Sequence, residues 1–163
     1  MYGLRCQLTG AVHLSNWNGT NSKVNETEVW ETVINEDYNA RLKPLIRNGD
    51  LYHILPRPDG KNWDGLEYVD PEAEDIQGAV MLWKPKGAAD AKNVKLRGLD
   101  AETSYQLTFS DHTSLNCVMT GAQLMNEGLT VTFDETVASD IIWMTRAEQP
   151  SYVLPQAVCG SVG

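Results

Sequence analysis

At Gly49 the hydrophobic period of the chain changes, and that change fixes most of what the sequence can fold into. Upstream, "NETEVWETVINEDYNARLKPLI" places Val29, Trp30, Val33, Ile34, Tyr38, Leu42 and Leu45 at spacings of three and four, one apolar stripe on an amphipathic α-helix. Asn25 followed by Glu28 forms a capping-box pattern, and the acidic first turn complements the helix dipole. Pro44 disfavours helical geometry at Lys43, so the helix is expected to kink or end there, with Asn48-Gly49 as the final stop.

Downstream the helical period does not return. Short runs separated by turn residues follow: Leu51–Leu55, Leu66–Val69, Ala79–Lys84, Asn93–Leu99, Tyr105–Phe109, Leu115–Thr120, Leu129–Phe133 and Asp140–Thr145. Several alternate apolar with polar, as half-buried strands do. "GAVMLW" and "DIIWM" are apolar on both faces, the pattern of central strands with cover on each side. Strands at this spacing without intervening helices predict an antiparallel β-sandwich. The expected organisation is therefore mainly β: residues 1–48 as a short N-terminal β segment ("LRCQLTGAVHLSNW") and the helix, 49–146 as the sandwich, and 147–163 as an extended tail with two prolines.

The 163 residues suffice for one domain with a proper core. A net charge of −9 and no Lys/Arg cluster argue against nucleic acid and against an anionic membrane surface as partners. Neutral partners fit better. Cys6, Cys117 and Cys159 are odd in number and far apart, with no CxxC pair, and read as isolated thiols. The apolar runs are too short to cross a bilayer, and the first residues lack the organisation of a signal peptide. A soluble chain is expected, cytoplasmic or secreted.

Five segments in order carry a resemblance. "LKPLIRNGDLYHILPRPDG", "GAVMLWKPKG", "VKLRGLDAETSYQLTFSD", "TGAQLMNEGLTVTF" and "ASDIIWM" resemble the C-terminal end of α-galactosidase-type glycoside hydrolases, family 36 and its relatives, over Leu42 to about Trp143. The resemblance implies that the helix is the last of a catalytic (β/α)8 barrel, that Ala11–Ser15 is the last barrel strand, and that an antiparallel sandwich closes the chain. Such a barrel typically needs about 250 residues, and the family's catalytic carboxylates have no matching positions here. The implied role is a non-catalytic accessory domain of a carbohydrate-active enzyme, with the barrel as its partner. An N-terminal piece separated from a barrel would need other cover, or a second copy to form a homodimer.

Candidate chemistry concentrates in "GDLYHILPRPDGKNWDG". Flat rings with amides and carboxylates around them suit a neutral sugar. Trp63, between Asn62 and Asp64 in a polar turn, is the tryptophan expected to be exposed, and Trp17 is the second; Tyr52 completes the candidate carbohydrate-binding set. Trp30, Trp83 and Trp143 lie on apolar stripes and read as core. The carboxylate series Asp59, Asp64, Glu67, Asp70, Glu72, Glu74 and Asp75 could supply the pair that a small stand-alone glycoside hydrolase needs, but its turn setting favours solvated side chains. No cofactor is implied. Calcium is the one metal these oxygens would suit, and "DPEAED" lacks the spacing and glycine of an EF-hand loop. His53 reads as a packed or edge histidine and His112 as part of a hairpin turn. A third possibility is a purely structural module that supports the barrel.

Overall fold

The computed structural model describes residues 2–10, 12 and 29–147, with side chains from residue 31 in the second stretch. Ala11, His13–Ser15, Trp17, the Asn25 cap and Cys159 lie outside the described residues, as does the tail beyond residue 147.

The chain begins with helix α1 (Tyr2–Arg5) and a single 3-10 turn, Cys6–Leu8. A β segment was expected over this stretch; the described part of it is helical instead, with Leu8 fully buried. Next comes α2 (Val29–Leu42), wound as a π-helix, which passes directly into α3 (Lys43–Asn48), an ordinary α-helix. The winding changes where Pro44 was expected to interrupt the helix, because proline offers no N–H to continue the preceding ladder. Pro44 sits in the first turn of α3. The buried positions Val33, Ile34, Leu42 and Leu45, with Tyr38 packed against them, are the apolar stripe read from sequence, and Asp37 is buried among them. Gly49 stops the helix, its N–H donating to the Leu45 carbonyl at 2.8 Å.

Eight strands follow: β1 (Asp50–His53), β2 (Asp64–Val69), β3 (Gly78–Lys84), β4 (Ala91–Val94), β5 (Ser104–Phe109), β6 (Cys117–Thr120), β7 (Leu129–Thr132) and β8 (Ala138–Arg146). Six form one antiparallel sheet in the order β1-β2-β3-β8-β5-β6, and β4 pairs β7 in a second sheet of two. The predicted sandwich is thus present and unequal.

Its two faces explain the fully apolar strands. Val80 and Leu82 of β3 and Ile142 and Met144 of β8 enter the core beneath β4 and β7, together with Tyr105, Leu107, Phe109, Val131 and Phe133. Ala79, Met81, Trp83, Ile141 and Trp143 point the other way and pack with Leu8, Val33, Ile34, Leu42 and Leu45. The helices therefore cover the face that the small sheet leaves open. Burying a Leu, Ile or Phe side chain contributes roughly 1.5–3 kcal/mol, so both faces are needed to hold these central strands.

One helix went unread in the sequence. Helix α4 (Gly121–Asn126) carries a full capping box, in which the Thr120 hydroxyl accepts from the Gln123 N–H at 3.1 Å and the Gln123 side chain accepts from the Thr120 N–H at 3.0 Å. Cys117 is disulfide-bonded, which corrects the isolated-thiol reading at that position. Cys6 is a free, exposed thiol.

Candidate functional site

The loop from Pro56 to Trp63 lies at the end of the sandwich where β2 begins and β3 ends. Asp59 organises its tip: one carboxylate oxygen accepts the N–H groups of Lys61 and Asn62 at 2.8 Å each, and the other accepts the Asn62 amide at 2.7 Å. These hydrogen bonds, led by those from the backbone, pull the Asp59 pKa down to about 2. Asn62 is exposed but already engaged in this turn.

Trp63 is not exposed. Only 4% of it reaches solvent, its Nε1 donates to the Ala89 carbonyl at 2.6 Å, and its ring stacks on Phe133 with centroids 5.1 Å apart. The sequence placed it in a polar turn, but its ring covers the end of the core and has no free face for a sugar. Tyr52, half-buried, lies opposite Glu67 in the sheet, and its ring closes against Gly98 of the β4–β5 connection. Asp64, at the start of β2, has a carboxyl pushed up by burial against the counteracting Gly65 N–H. The proposed platform is therefore not assembled: Trp63 faces the β3–β4 connection, Tyr52 the β4–β5 connection, and Trp17 lies outside the described residues.

The carboxylate series is likewise divided. Asp59 and Asp64 precede or open β2, while Asp70, Glu72, Glu74 and Asp75 follow it. A strand of this length holds its ends roughly 17 Å apart, farther than the about 5–9.5 Å over which glycosidase carboxyl pairs act. Glu67 between them is fully buried. Its Oε2 accepts the Arg97 N–H at 2.9 Å, its Oε1 has no partner, and burial pushes its pKa up to about 8. Among the described residues no group of three or more His, Cys, Asp or Glu side chains is placed to hold a metal ion.

What the structure does assemble at this end is a charged network that sequence reasoning missed. Asp140 of β8, fully buried, accepts the N–H groups of Asp111 at 3.1 Å, His112 at 2.9 Å and Ile141 at 2.7 Å, and faces His112 Nδ1 at 2.6 Å. The His112 ring stacks on Phe133 at 4.2 Å. Arg5, 2% exposed, reaches in from α1 to Asp111 at 2.8 Å and donates to the Ser139 carbonyl. Lys84, also buried, donates to the carbonyls of Phe133 at 2.8 Å and Glu135 at 2.6 Å and to Asp90 at 2.6 Å. The available signal was the aspartate inside the apolar run "SDIIWM", since a charge in a central strand requires dedicated donors.

Comparison with known proteins places this architecture. The model of the glycosyl hydrolase family 36 C-terminal domain matches residues 63–144, half of the chain. Alpha-galactosidase C of Emericella nidulans is 38% identical over 109 residues, which are 65% of this chain and 13% of that protein. A probable alpha-galactosidase C of Aspergillus terreus is 27% identical over 106 residues, with the same coverage. The chain thus spans only about an eighth of the curated relatives it matches. Among solved structures, a GH36 alpha-galactosidase from Geobacillus stearothermophilus superposes with a TM-score of 0.57 at 20% identity, over 77% of this chain and 16% of that one. The alpha-galactosidase from Lactobacillus brevis gives 0.55 at 19%, over 82% and 18%. By the family model's match to half of its length, this chain belongs to the glycosyl hydrolase family 36 C-terminal domains.

Proposed function

We propose that the chain acts as the non-catalytic, C-terminal β-sandwich of an α-galactosidase-type glycoside hydrolase, where it supports a catalytic (β/α)8 barrel. The observation that carries this reading is the 38% identity to a small part, 13%, of an alpha-galactosidase. The geometry supports it, because the buried charges at the end of the sandwich are spent on joining α1, β8 and the interstrand connections. The helices α2 and α3 share one core with the larger sheet, and in this reading they are the segment through which the barrel joins it.

The test is a chimera. The C-terminal domain of the Emericella nidulans relative is deleted, and this chain is grafted in its place. Restored thermal stability and turnover of an aryl α-galactoside, relative to the truncated enzyme, is the expected result. Turnover by the 163-residue chain alone, lost in Asp64→Asn, would instead favour a stand-alone hydrolase. Binding of the isolated chain on a glycan array would restore the carbohydrate-binding reading, with a surface other than the Trp63 ring.

A further inference from the structure

One side of α2 and α3 packs on the larger sheet, and the other is open. The charges on the open side are sorted along it: the exposed Glu31 and Glu36 stand in the first half, the exposed Lys43 and Arg47 in the second. Two charges of these helices are satisfied within the chain, because Arg41 pairs with Asp37 at 3.4 Å and lies over the Trp143 ring. Among the described residues the other four make no ion pair. Arg47, in the last turn of α3, complements the helix dipole. Lys43 lies at the junction of the two helices, away from that end, and is a like charge four residues from Arg47, a spacing that weakens a helix by itself. Asn39, Lys43 and Arg47 recur every four residues, as do Pro44 and Asn48, and together they line a groove of about 440 Å³. Rows at this spacing are the ridges that interdigitate when two helices pack.

We propose that this open face is an interface between two copies of the chain, with their helices packed antiparallel about a two-fold axis beside Asn39 and Ala40. The order of the charges selects a second copy as the occupant. In a two-fold contact every pairing occurs twice, since a residue that meets its partner's neighbour is met in return. Glu36 and Lys43 are equidistant from the Asn39–Ala40 axis and oppose each other across it, and Glu31 comes to the end that carries Arg47. A parallel arrangement would instead set like charge against like. Asn39 and Ala40 are short, so the helices can approach at the axis, and the ridge of one copy enters the groove of the other. The net charge of −9 makes the rest of the surface repel a second copy, which leaves this sorted face as the place where two chains attract. Exposed ion pairs are individually weak, and their contribution here is to fix register and partner. The association is therefore modest and concentration-dependent. It does not rest on the barrel reading.

The experiment is sedimentation velocity of the full 163-residue chain from about 1 μM to about 1 mM, at about 0.1 M ionic strength, where charges about 10 Å apart still interact. The average mass is expected to rise from 18.1 kDa towards twice that value. Glu36→Lys and Lys43→Glu should each weaken the association about tenfold, because each turns two attractive pairs into two repulsive ones. The two reversals change the net charge in opposite directions, so a general charge effect would move them apart, not together. An equimolar mixture of the two variants should associate as the unmodified chain does, and so should the chain that carries both. Both positions are exposed, and an unchanged thermal midpoint verifies that the variants fold. A monomer at every concentration, an association that either reversal leaves unchanged, or a mixture no tighter than its components would overturn the proposal.

Discussion

Arg5 Nη1 lies 2.8 Å from Asp111 Oδ2, 106 positions along the chain, and the guanidinium is almost entirely enclosed. This pair fixes α1 to the end of the sandwich. Its neighbours are Asp140 at 3.8 Å and Asp37 of α2, whose carboxyl is pushed up to about 6 by burial despite the opposing Arg41 and Arg5 charges. Arg5→Met removes the cation from beside the fully buried Asp140, while Asp111 keeps access to solvent and Asp140 keeps its backbone donors, so the loss is that of a charge-assisted hydrogen bond, about 1.5–3 kcal/mol. Urea unfolding should show a loss of that size, and Asp37 should titrate at still higher pH in the variant.

Trp63 stacks on Phe133 and bonds the Ala89 carbonyl, so its truncation opens a cavity at the mouth of the core. Trp63→Ala is expected to destabilise the chain by about 4 kcal/mol, in the range of large aromatic deletions. Trp63→Phe should cost much less, since it retains most of the buried ring and loses the one hydrogen bond. An unchanged midpoint of thermal unfolding in Trp63→Ala would contradict the burial described here.

Glu67 predicts a pH dependence with a definite sign. Its pKa rises from 4.5 to about 8 on folding through burial, so between those values the folded chain binds the proton that the unfolded chain has lost. Stability from this group is fully present below about pH 4.5, falls by up to about 1.4 kcal/mol per pH unit as pH rises, and levels off above about pH 8. Glu67→Gln keeps the acceptor for Arg97 N–H and cannot ionise. The difference in unfolding free energy between the two proteins should widen in favour of the variant from pH 5 to about pH 8, and parallel curves would refute it.

Gly121 opens α4 against Asp100, whose carbonyl oxygen would stand 2.0 Å from an added Cβ. Gly121→Ala must push the backbone of that connection away, at a cost of about 2 kcal/mol typical of overpacking. Thermal unfolding measures the effect, and the capping pair Thr120–Gln123 should remain visible in the amide protection of Gln123.

Much of the fold was legible because it depends on local pattern. The alternation of Tyr105, Leu107 and Phe109 sets one strand face, and the doubly apolar "GAVMLW" and "DIIWM" mark the two strands with cover on each side. Gly49 and Pro44 mark the helix stop and the change in its winding. The capping box of "TGAQ" was equally local and was passed over inside a strand-rich context. The candidate site was not legible. Trp63 looked exposed among Asn62, Asp64 and Gly60, yet Phe133, seventy positions on, and the Ala89 carbonyl bury its ring.

The sequence by itself therefore determined the period of the sheet strands, the helix stop at Gly49, the class of the fold and the family it resembles, since these follow from neighbours within a few residues. Only the tertiary structure decided which side chains are enclosed, and with them which groups carry altered chemistry. Arg5, His112 and Asp140 are ordinary polar residues in the sequence. They become a buried network because strand order brings β8 beside β5, and because charge withdrawn from water must find its partners wherever the chain has placed them.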